Sequence, residues 1–521
     1  MKRIAGGVTA LALTAVGSLA LAPSASAAVV VKLQAGSSKT VVSNDASQPA
    51  GDIKLVDLTS ADTDDVVLQV ADSSGDPCDA DTFVAFSAVP TFPTDKVASA
   101  TLQSSGGDCA VNNQLKLVLK ANAAVPEVVL SNVKYTVGSD VAPGAVALSV
   151  LPPEVDADVL SNNSNATIAV VDRVEGANRF ATAAKLADQV FDCKSEVLLA
   201  NGRNFPDALA ANYLAGVKNV PLVLTEPTAL SPEARDAIKK FGATKVTIIG
   251  GPDAIAPAVA TALQNQVVGK CPGTGDADGS PKLAVSRIEG TTRYDTARKV
   301  ALDQGADAVG TLDPSGPTCT ASEKKKTAIL TTGQNFADAL AIGPLAFQGT
   351  ELIGDCGDGK AIPILLTEPN SLYSSIPETL TTLGVENVIV LGGQVAVTDA
   401  TVGALITAKP GVSITRIEGA NRQETARNIA KGLVARGFDS ARTYIARGDD
   451  FPDALASGQV AGTEGATLVL ENNPNALGTN VTDWIKVDTK AFVNHASLIG
   501  GPVALSQAVL GEVQSAFRAR T

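Results

Sequence analysis

The sequence predicts an α/β protein of three units with mostly parallel sheets, preceded by an all-β, sandwich-like domain. Three observations predict it. Asn204-Phe-Pro-Asp-Ala-Leu209 returns as Asn335-Phe-Ala-Asp-Ala-Leu340 and as Asp450-Phe-Pro-Asp-Ala-Leu455, each after an apolar run and a glycine. Near-continuous apolar strands alternate with helical patterns through residues 166–521, as in a parallel sheet covered on both faces. Residues 29–165 instead carry short alternating runs, such as Asp65-Val-Val-Leu-Gln-Val70 and Gln114-Leu-Lys-Leu-Val-Leu119. Clusters of Gly, Pro, Asp and Ser separate them, which reads as many short strands.

Taken in order, residues 1–28 read as a secretory signal. Lys2 and Arg3 precede an apolar stretch from Ile4 to Ala22, and Pro23-Ser-Ala-Ser-Ala27 supplies an A-x-A cleavage site. No later stretch is long and apolar enough to span a bilayer. Arg518-Ala-Arg-Thr521 carries no sorting signal, so the chain is expected to be exported with nothing covalent holding it at the cell. The net charge is −13, or −15 without Lys2 and Arg3. Such a balance argues against nucleic acid and against an anionic membrane surface as partners. The β-rich segment carries −10 of it, and its Asp-rich loops (Asp62, Asp64, Asp65; Asp76, Asp79, Asp81) read as ordinary solvated loops, with no full calcium-ligand loop legible. Six cysteines in an exported chain suggest disulfides. Their grouping suggests Cys78–Cys109, Cys193–Cys271 and Cys319–Cys356, the last tying two insertions of the second copy together.

Residues 155–166 read as a linker. Three copies follow at 166–280, 281–410 and 411–521, each reading β-α-β-α-β-α-β-α. In the first copy the strands are expected at Ala169–Arg173, Glu196–Ala200, Pro221–Thr225 and Lys245–Ile249. The helices are expected at Arg179–Phe191, Pro206–Gly216 and Pro232–Phe241, and from about Ile255. Ala234, Ile238 and Phe241 form one apolar stripe, matched by Ile376, Leu380 and Leu383 in copy two and by Val481, Trp484 and Ile485 in copy three.

Four motifs recur in order. The first, R-V/I-E-G-x-x-R, is Arg173, Glu175, Gly176 and Arg179; then Arg287, Glu289, Gly290 and Arg293; then Arg416, Glu418, Gly419 and Arg422. Thr292 with Asp295 and Asn421 with Glu424 fit capping boxes, and Asn178 caps alone. The second motif brings Asp207, Asp338 and Asp453. The third is Thr225-Glu226-Pro227 and Thr367-Glu368-Pro369, from which copy three departs with Glu471-Asn-Asn473. The fourth is a Gly-Gly pair at 250–251, 392–393 and 500–501. All four fall at C-terminal strand ends, the edge where open parallel sheets place their binding crevices. Each copy is therefore expected to gather its polar residues in one place. There the arginines either meet an anionic ligand, which a planar guanidinium suits, or pair internally and hold the units together. The aspartates read as structural, placed in the first turn of a helix whose dipole favours them.

These tandem motifs, with P-L-L-L-T-like third strands, resemble the cell-wall-binding repeat type 2 family of exported Gram-positive proteins over about 350 residues. The resemblance implies three Rossmann- or Toprim-like modules in a pseudo-threefold arrangement. It also implies non-covalent anchoring to an anionic cell-wall polysaccharide or teichoic-acid-like polymer at the cell surface, and a separate effector domain, here the N-terminal one. Arg173, Arg179, Arg287, Arg293, Arg416 and Arg422 are the candidate polymer contacts. Glu175, Asp207, Glu289, Asp338, Glu418 and Asp453 are structural or binding-edge residues.

The alternatives are an enzyme of wall metabolism or amidase-modifying factor, and a surface-layer subunit. One histidine, His495, leaves most His-based hydrolysis and zinc sites without ligands, and no G-x-S-x-G occurs. Gly354-Asp-Cys-Gly-Asp-Gly-Lys360 matches G-x-x-x-x-G-K, but it lacks the Ser/Thr and precedes a strand. The sequence thus points to a non-catalytic binding protein without metal, nucleotide or other cofactor.

Overall fold

The computed structural model describes residues 32–520 except 36–38, 43–44, 51–52, 59–64, 72–83, 95, 105–110, 121–124, 139–140, 142, 151–165, 266–281, 315–323, 336, 348–356, 439–440, 451 and 490–492. The signal at 1–28, the linker up to 165, Asp62, Asp64, Asp76, Asp79 and Asp81 lie outside the described residues. So do Cys78, Cys109, Cys271, Cys319 and Cys356, and with them the three pairings. Cys193 is disulfide-bonded.

The repeat elements form where apolar period and caps place them. The first-copy strands are Ala166–Val174, Glu196–Asn201, Leu222–Thr225 and Lys245–Ile249. The helices are Arg179–Val190, Pro206–Lys218, Pro232–Lys240 and Pro257–Gln264. Asn178 Oδ1 accepts from the N–H groups of Phe180 and Ala181, both at 3.0 Å. Asn421 accepts from Glu424 N at 2.9 Å, and Glu424 Oε2 accepts from Ala420 N at 2.8 Å, closing the capping exchange one residue early. In copy two the second-motif helix breaks into Ala337–Leu340 and Gly343–Phe347. Pro344 there lacks the N–H that would continue the first segment. The Val481/Trp484/Ile485 stripe runs over a short helix, Thr479–Asp483, and a π-helical turn, Trp484–Asp488.

The sheets correct one expectation. A repeat does not own its four strands. One sheet is ordered Leu222–Thr225, Glu196–Asn201, Lys245–Ile249, Ala284–Ile288, so its fourth strand belongs to the second repeat. Strand Ser413–Ile417 of the third repeat likewise pairs with Asn387–Leu391 of the second. Strand Ala166–Val174 of the first pairs with His495–Ile499 of the third, so the exchange closes on itself. All these pairings are parallel. The helix after each exchanged strand packs on the third strand of its own repeat and against the second-motif helix of the preceding one, so every junction is crossed by covalent chain and by backbone hydrogen bonds.

The second-motif helices meet at the centre of the repeats. Their seventh positions are Asn212, Gly343 and Gly458. A Cβ on Gly458 would lie 2.6 Å from Asn212 Oδ1, and one on Gly343 would lie 3.0 Å from Gly458 Cα. One Asn and two glycines fill a space too small for three side chains. One position along, the fully buried Gln459 grips an edge strand of the first repeat. Its Oε1 accepts from Leu222 N at 2.8 Å and its Nε2 donates to Leu222 O at 2.9 Å. Gln459→Ala leaves both backbone groups buried and unmet, a loss of about 1–3 kcal/mol per group. Chemical denaturation is expected to show a destabilisation of that order.

The described N-terminal residues form antiparallel sheets around one core that includes Leu68, Phe86, Leu115, Leu117 and Tyr135. This domain is not merely tethered. Strand Lys39–Val42 pairs in parallel with Ala166–Ala169, and Gly144–Ala145 pairs antiparallel with Thr167–Ile168. With side chains alternating across the strand, Ile168 and Val170 enter the N-terminal core while Ala169 and Val171 enter that of the third repeat. One strand belongs to both bodies.

Candidate functional site

Because first-motif strands are exchanged, the polar residues gather between repeats and not one set per unit. Three similar clefts result, of about 410 Å³ between repeats one and two, 540 Å³ between two and three, and 480 Å³ between three and one. Each volume suits a small ligand or one unit of a polymer.

The structure divides the six arginines into two sets. Arg173, Arg287 and Arg416 reach back to the preceding repeat and bind its Gly-Gly loop. Arg287 donates to Gly250 O at 2.5 Å and Ile255 O at 2.9 Å. Arg416 donates to Gly392 O at 2.6 Å and Val397 O at 2.9 Å. Arg173 donates to Gly500 O at 2.7 Å and Ser506 O at 3.3 Å. Their side chains are 18%, 17% and 10% exposed, and none of the three lines a cleft. These three fasten the junctions. Arg179, Arg293 and Arg422 do line the clefts. Each also donates to a carbonyl in its own second-motif turn, Gly202 O at 3.1 Å, Gly333 O at 2.7 Å and Gly448 O at 2.7 Å.

The aspartates sit on the cleft floors and reach across the junction. Asp207 hydrogen-bonds Thr296 and faces Arg293 of the next repeat. Asp338 does the same with Thr425 and Arg422, and Asp453 with Thr182 and Arg179. The threonines were not singled out in the sequence, although each lies three residues after the second arginine of motif one. An R-x-x-T extension was legible there. Each aspartate packs on the first glycine of its own Gly-Gly pair, at Gly250, Gly392 and Gly500. The second glycine faces the motif-one glutamate of the next repeat: Gly251 meets Glu289, Gly393 meets Glu418, and Gly501 meets Glu175.

Burial raises all three aspartates against the opposing pull of Arg and Thr, and Asp207 reaches about 6. Folded protein therefore holds this proton more tightly than unfolded chain. The resulting stability is fully present below the ordinary carboxyl value of 3.8 and is lost as pH rises through about 6. A rise from 3.8 to about 6 corresponds to about 3 kcal/mol. Asp207→Asn removes the titration. Its stability relative to wild type is expected to improve by about that amount between pH 4 and pH 7, read from urea unfolding at both values.

The third motif fixes the loops beside the clefts, and copy three proves equivalent. Thr225 Oγ1 accepts from Ser231 N and Thr367 Oγ1 from Tyr373 N, both at 2.9 Å. Glu471 takes this place, accepting from Asn472 N, Asn473 N and Gly478 N at 2.9, 2.9 and 2.6 Å. Pro227, Pro369 and Pro474 carbonyls each accept the N–H that opens the following Gly-Gly helix, from Ala256, Thr398 and Ser506.

Two other sequence features lie away from the clefts. His495 Nε2 meets Asp172 Oδ2 at 2.9 Å where the first and last repeat strands pair. Lys360, of the P-loop-like stretch, donates to Asp307 O at 2.9 Å. No described helix is long and apolar enough to cross a membrane.

Comparison with known proteins matches this organisation. The family model described as cell wall binding domain 2 matches residues 173–260, 287–402 and 416–510. The chain is 28% identical over 345 residues to the N-acetylmuramoyl-L-alanine amidase LytC of Bacillus subtilis (strain 168), covering 66% of this chain and 58% of that one. It is 26% identical over 344 residues to the amidase enhancer of the same organism, covering 66% of this chain and 40% of that one. The chain thus spans less than two thirds of either relative. In fold it is similar to Cwp6 from Clostridium difficile (TM-score 0.54, 16% identity, 94% of this chain and 67% of that one). Cwp8 from the same organism gives a TM-score of 0.51 at 15% identity, over 92% of this chain and 89% of that one. With three matched segments covering more than half its length, the chain belongs to the cell wall binding domain 2 family and is a cell-wall-associated protein.

Proposed function

We propose that this protein is a non-catalytic anchor. It is exported, binds an anionic secondary wall polymer through inter-repeat clefts, and holds its N-terminal domain at the cell surface. The repeats act as Rossmann- or Toprim-like modules in a pseudo-threefold arrangement. The observation that carries this reading is the recurrence of one Arg–Thr–Asp constellation at all three junctions, including the one that joins the last repeat to the first. Arg179, Arg293 and Arg422 supply the cationic face for phosphate or uronate groups, which an otherwise acidic chain must provide locally. Linked clefts add avidity along one polymer. The strand shared with the N-terminal domain supports a rigid display, since that domain cannot swing without breaking the sheet.

The test is retention of the full mature chain on purified cell walls, before and after acid extraction of secondary polymers, across a salt series. Retention is expected to vanish on extraction and to weaken with salt as cleft charges are screened. Retention unchanged by extraction sinks the polymer reading. Sustained peptidoglycan turnover by the same preparation sinks the non-catalytic one.

A further inference from the structure

The clefts share a floor but differ at the mouth. Among the described residues the two most exposed large apolar side chains are Val395, at 94%, and Val503, at 92%; the next is Val487, at 62%. A single exposed valine needs no explanation. These two occupy one equivalent place, in Gly392-Gly393-Gln394-Val395 and Gly500-Gly501-Pro502-Val503. Val395 lines the cleft between repeats two and three, and Val503 the one between three and one. In Gly250-Gly251-Pro252-Asp253 the same place holds a carboxylate, and Asp253 lines the cleft between repeats one and two.

The polar lining of the cleft between repeats two and three differs in the same direction, whereas the cleft between three and one sets Arg179 and Arg447 against Glu175, Asp450 and Asp453, so there the rim valine and the second guanidinium make the difference. Between repeats two and three the charged groups are Asp338 and Arg422, and the amides of Gln334, Asn335, Gln394 and Asn421 surround them. Between repeats one and two, Asp253 joins Asp207 against the single cation Arg293. A guanidinium beside amides suits a ligand with one anionic group and several hydroxyls. An apolar side chain at the rim suits the C–H face of a sugar ring. A rim carboxylate repels such a ligand.

We infer that the clefts bearing Val395 and Val503 take the anionic sugar units of the wall polymer, and that Asp253 closes the cleft between repeats one and two to them. The inference rests on the proposed anchoring role. It makes the fourth residue of the Gly-Gly loop, the second after the glycine pair, the determinant of which clefts engage.

The test compares wild type, the double variant Val395→Asp/Val503→Asp, and Asp253→Val, each as the full mature chain, for retention on purified walls. All three positions are exposed, so unfolding midpoints are expected to stay at the wild-type value and the readout is binding alone. The double variant is expected to bind at least about tenfold more weakly, the scale of an added like charge at a binding rim. Asp253→Val is expected to bind several-fold more tightly. Wild-type affinity in the double variant, or no gain from Asp253→Val, overturns the inference. If wild type itself is not released by polymer extraction, the anchoring role fails, and this inference fails with it. If wild type is released but the variants all behave alike, only the inference fails.

Discussion

Gly392→Ala is expected to destabilise the protein by about 3 kcal/mol or more, while Gly393→Ala, one residue along, is expected to cost under about 1 kcal/mol. Two separate penalties act at Gly392. Its φ of +84° lies in the left-handed region, where a Cβ costs about 1–2 kcal/mol. That Cβ would also stand 2.3 Å from Asp338 Oδ2 and 2.6 Å from Ala396 Cβ. Overpacking of this kind adds about 1–3 kcal/mol. Asp338 has little slack, because it is half-buried and bonded to Thr425 across the junction. At Gly393 an added Cβ meets only Glu418 Oε2, at 3.3 Å, the far end of a flexible side chain. Urea unfolding of the two variants measures the contrast, and equal losses would sink the argument. The same geometry recurs at Gly250, with φ +113°, and at Gly500, with φ +94°.

Changing Arg179, Arg293 and Arg422 together to Gln is expected to reduce wall retention by about 100-fold or more while the chain stays folded. A charge-assisted hydrogen bond contributes about 1.5–3 kcal/mol, and linked sites multiply the loss. Each Gln also gives up one bond to a turn carbonyl, a modest cost at a partly exposed position. The companion triple, Arg173, Arg287 and Arg416 to Gln, is expected to behave in the opposite way. Those guanidiniums bind two carbonyls each in the preceding repeat. Losing them frees three junctions at once, so unfolding is expected to precede any clean loss of binding. Wall pull-down and unfolding midpoints on both triples separate anchoring arginines from fastening ones. Retention of the first triple at wild-type levels would assign the polymer to another surface.

The repeats were legible because local rules govern them. Apolar strands such as Leu222–Thr225, the Asn178 cap and the prolines that open helices all act within a few residues, and the observed elements fall where they predict. What the motifs do was less legible. Arg173 and Arg179 lie six residues apart in one motif, and nothing local distinguishes them. One turns back to a loop more than 300 residues away in sequence, and the other lines a cleft. Copy three lacks the third motif's threonine, yet Glu471 in its place also accepts from N–H groups of the loop that follows, at Asn472, Asn473 and Gly478. Shared hydrogen-bonding chemistry, invisible to a residue-by-residue comparison, restores the equivalence.

The sequence alone therefore determined three α/β repeats, their order, the strand-end placement of every motif, and the family they belong to. Periodicity, caps and turns are short-range, and repetition makes them readable three times over. Only the tertiary structure decided that each repeat gives its first strand to its neighbour, and hence that the clefts lie between repeats. It also decided that strand Ala166–Val174 joins the N-terminal domain to the last repeat. Parallel strands are joined through long crossovers, so which sheet a strand enters is set by distant packing partners and not by its own residues.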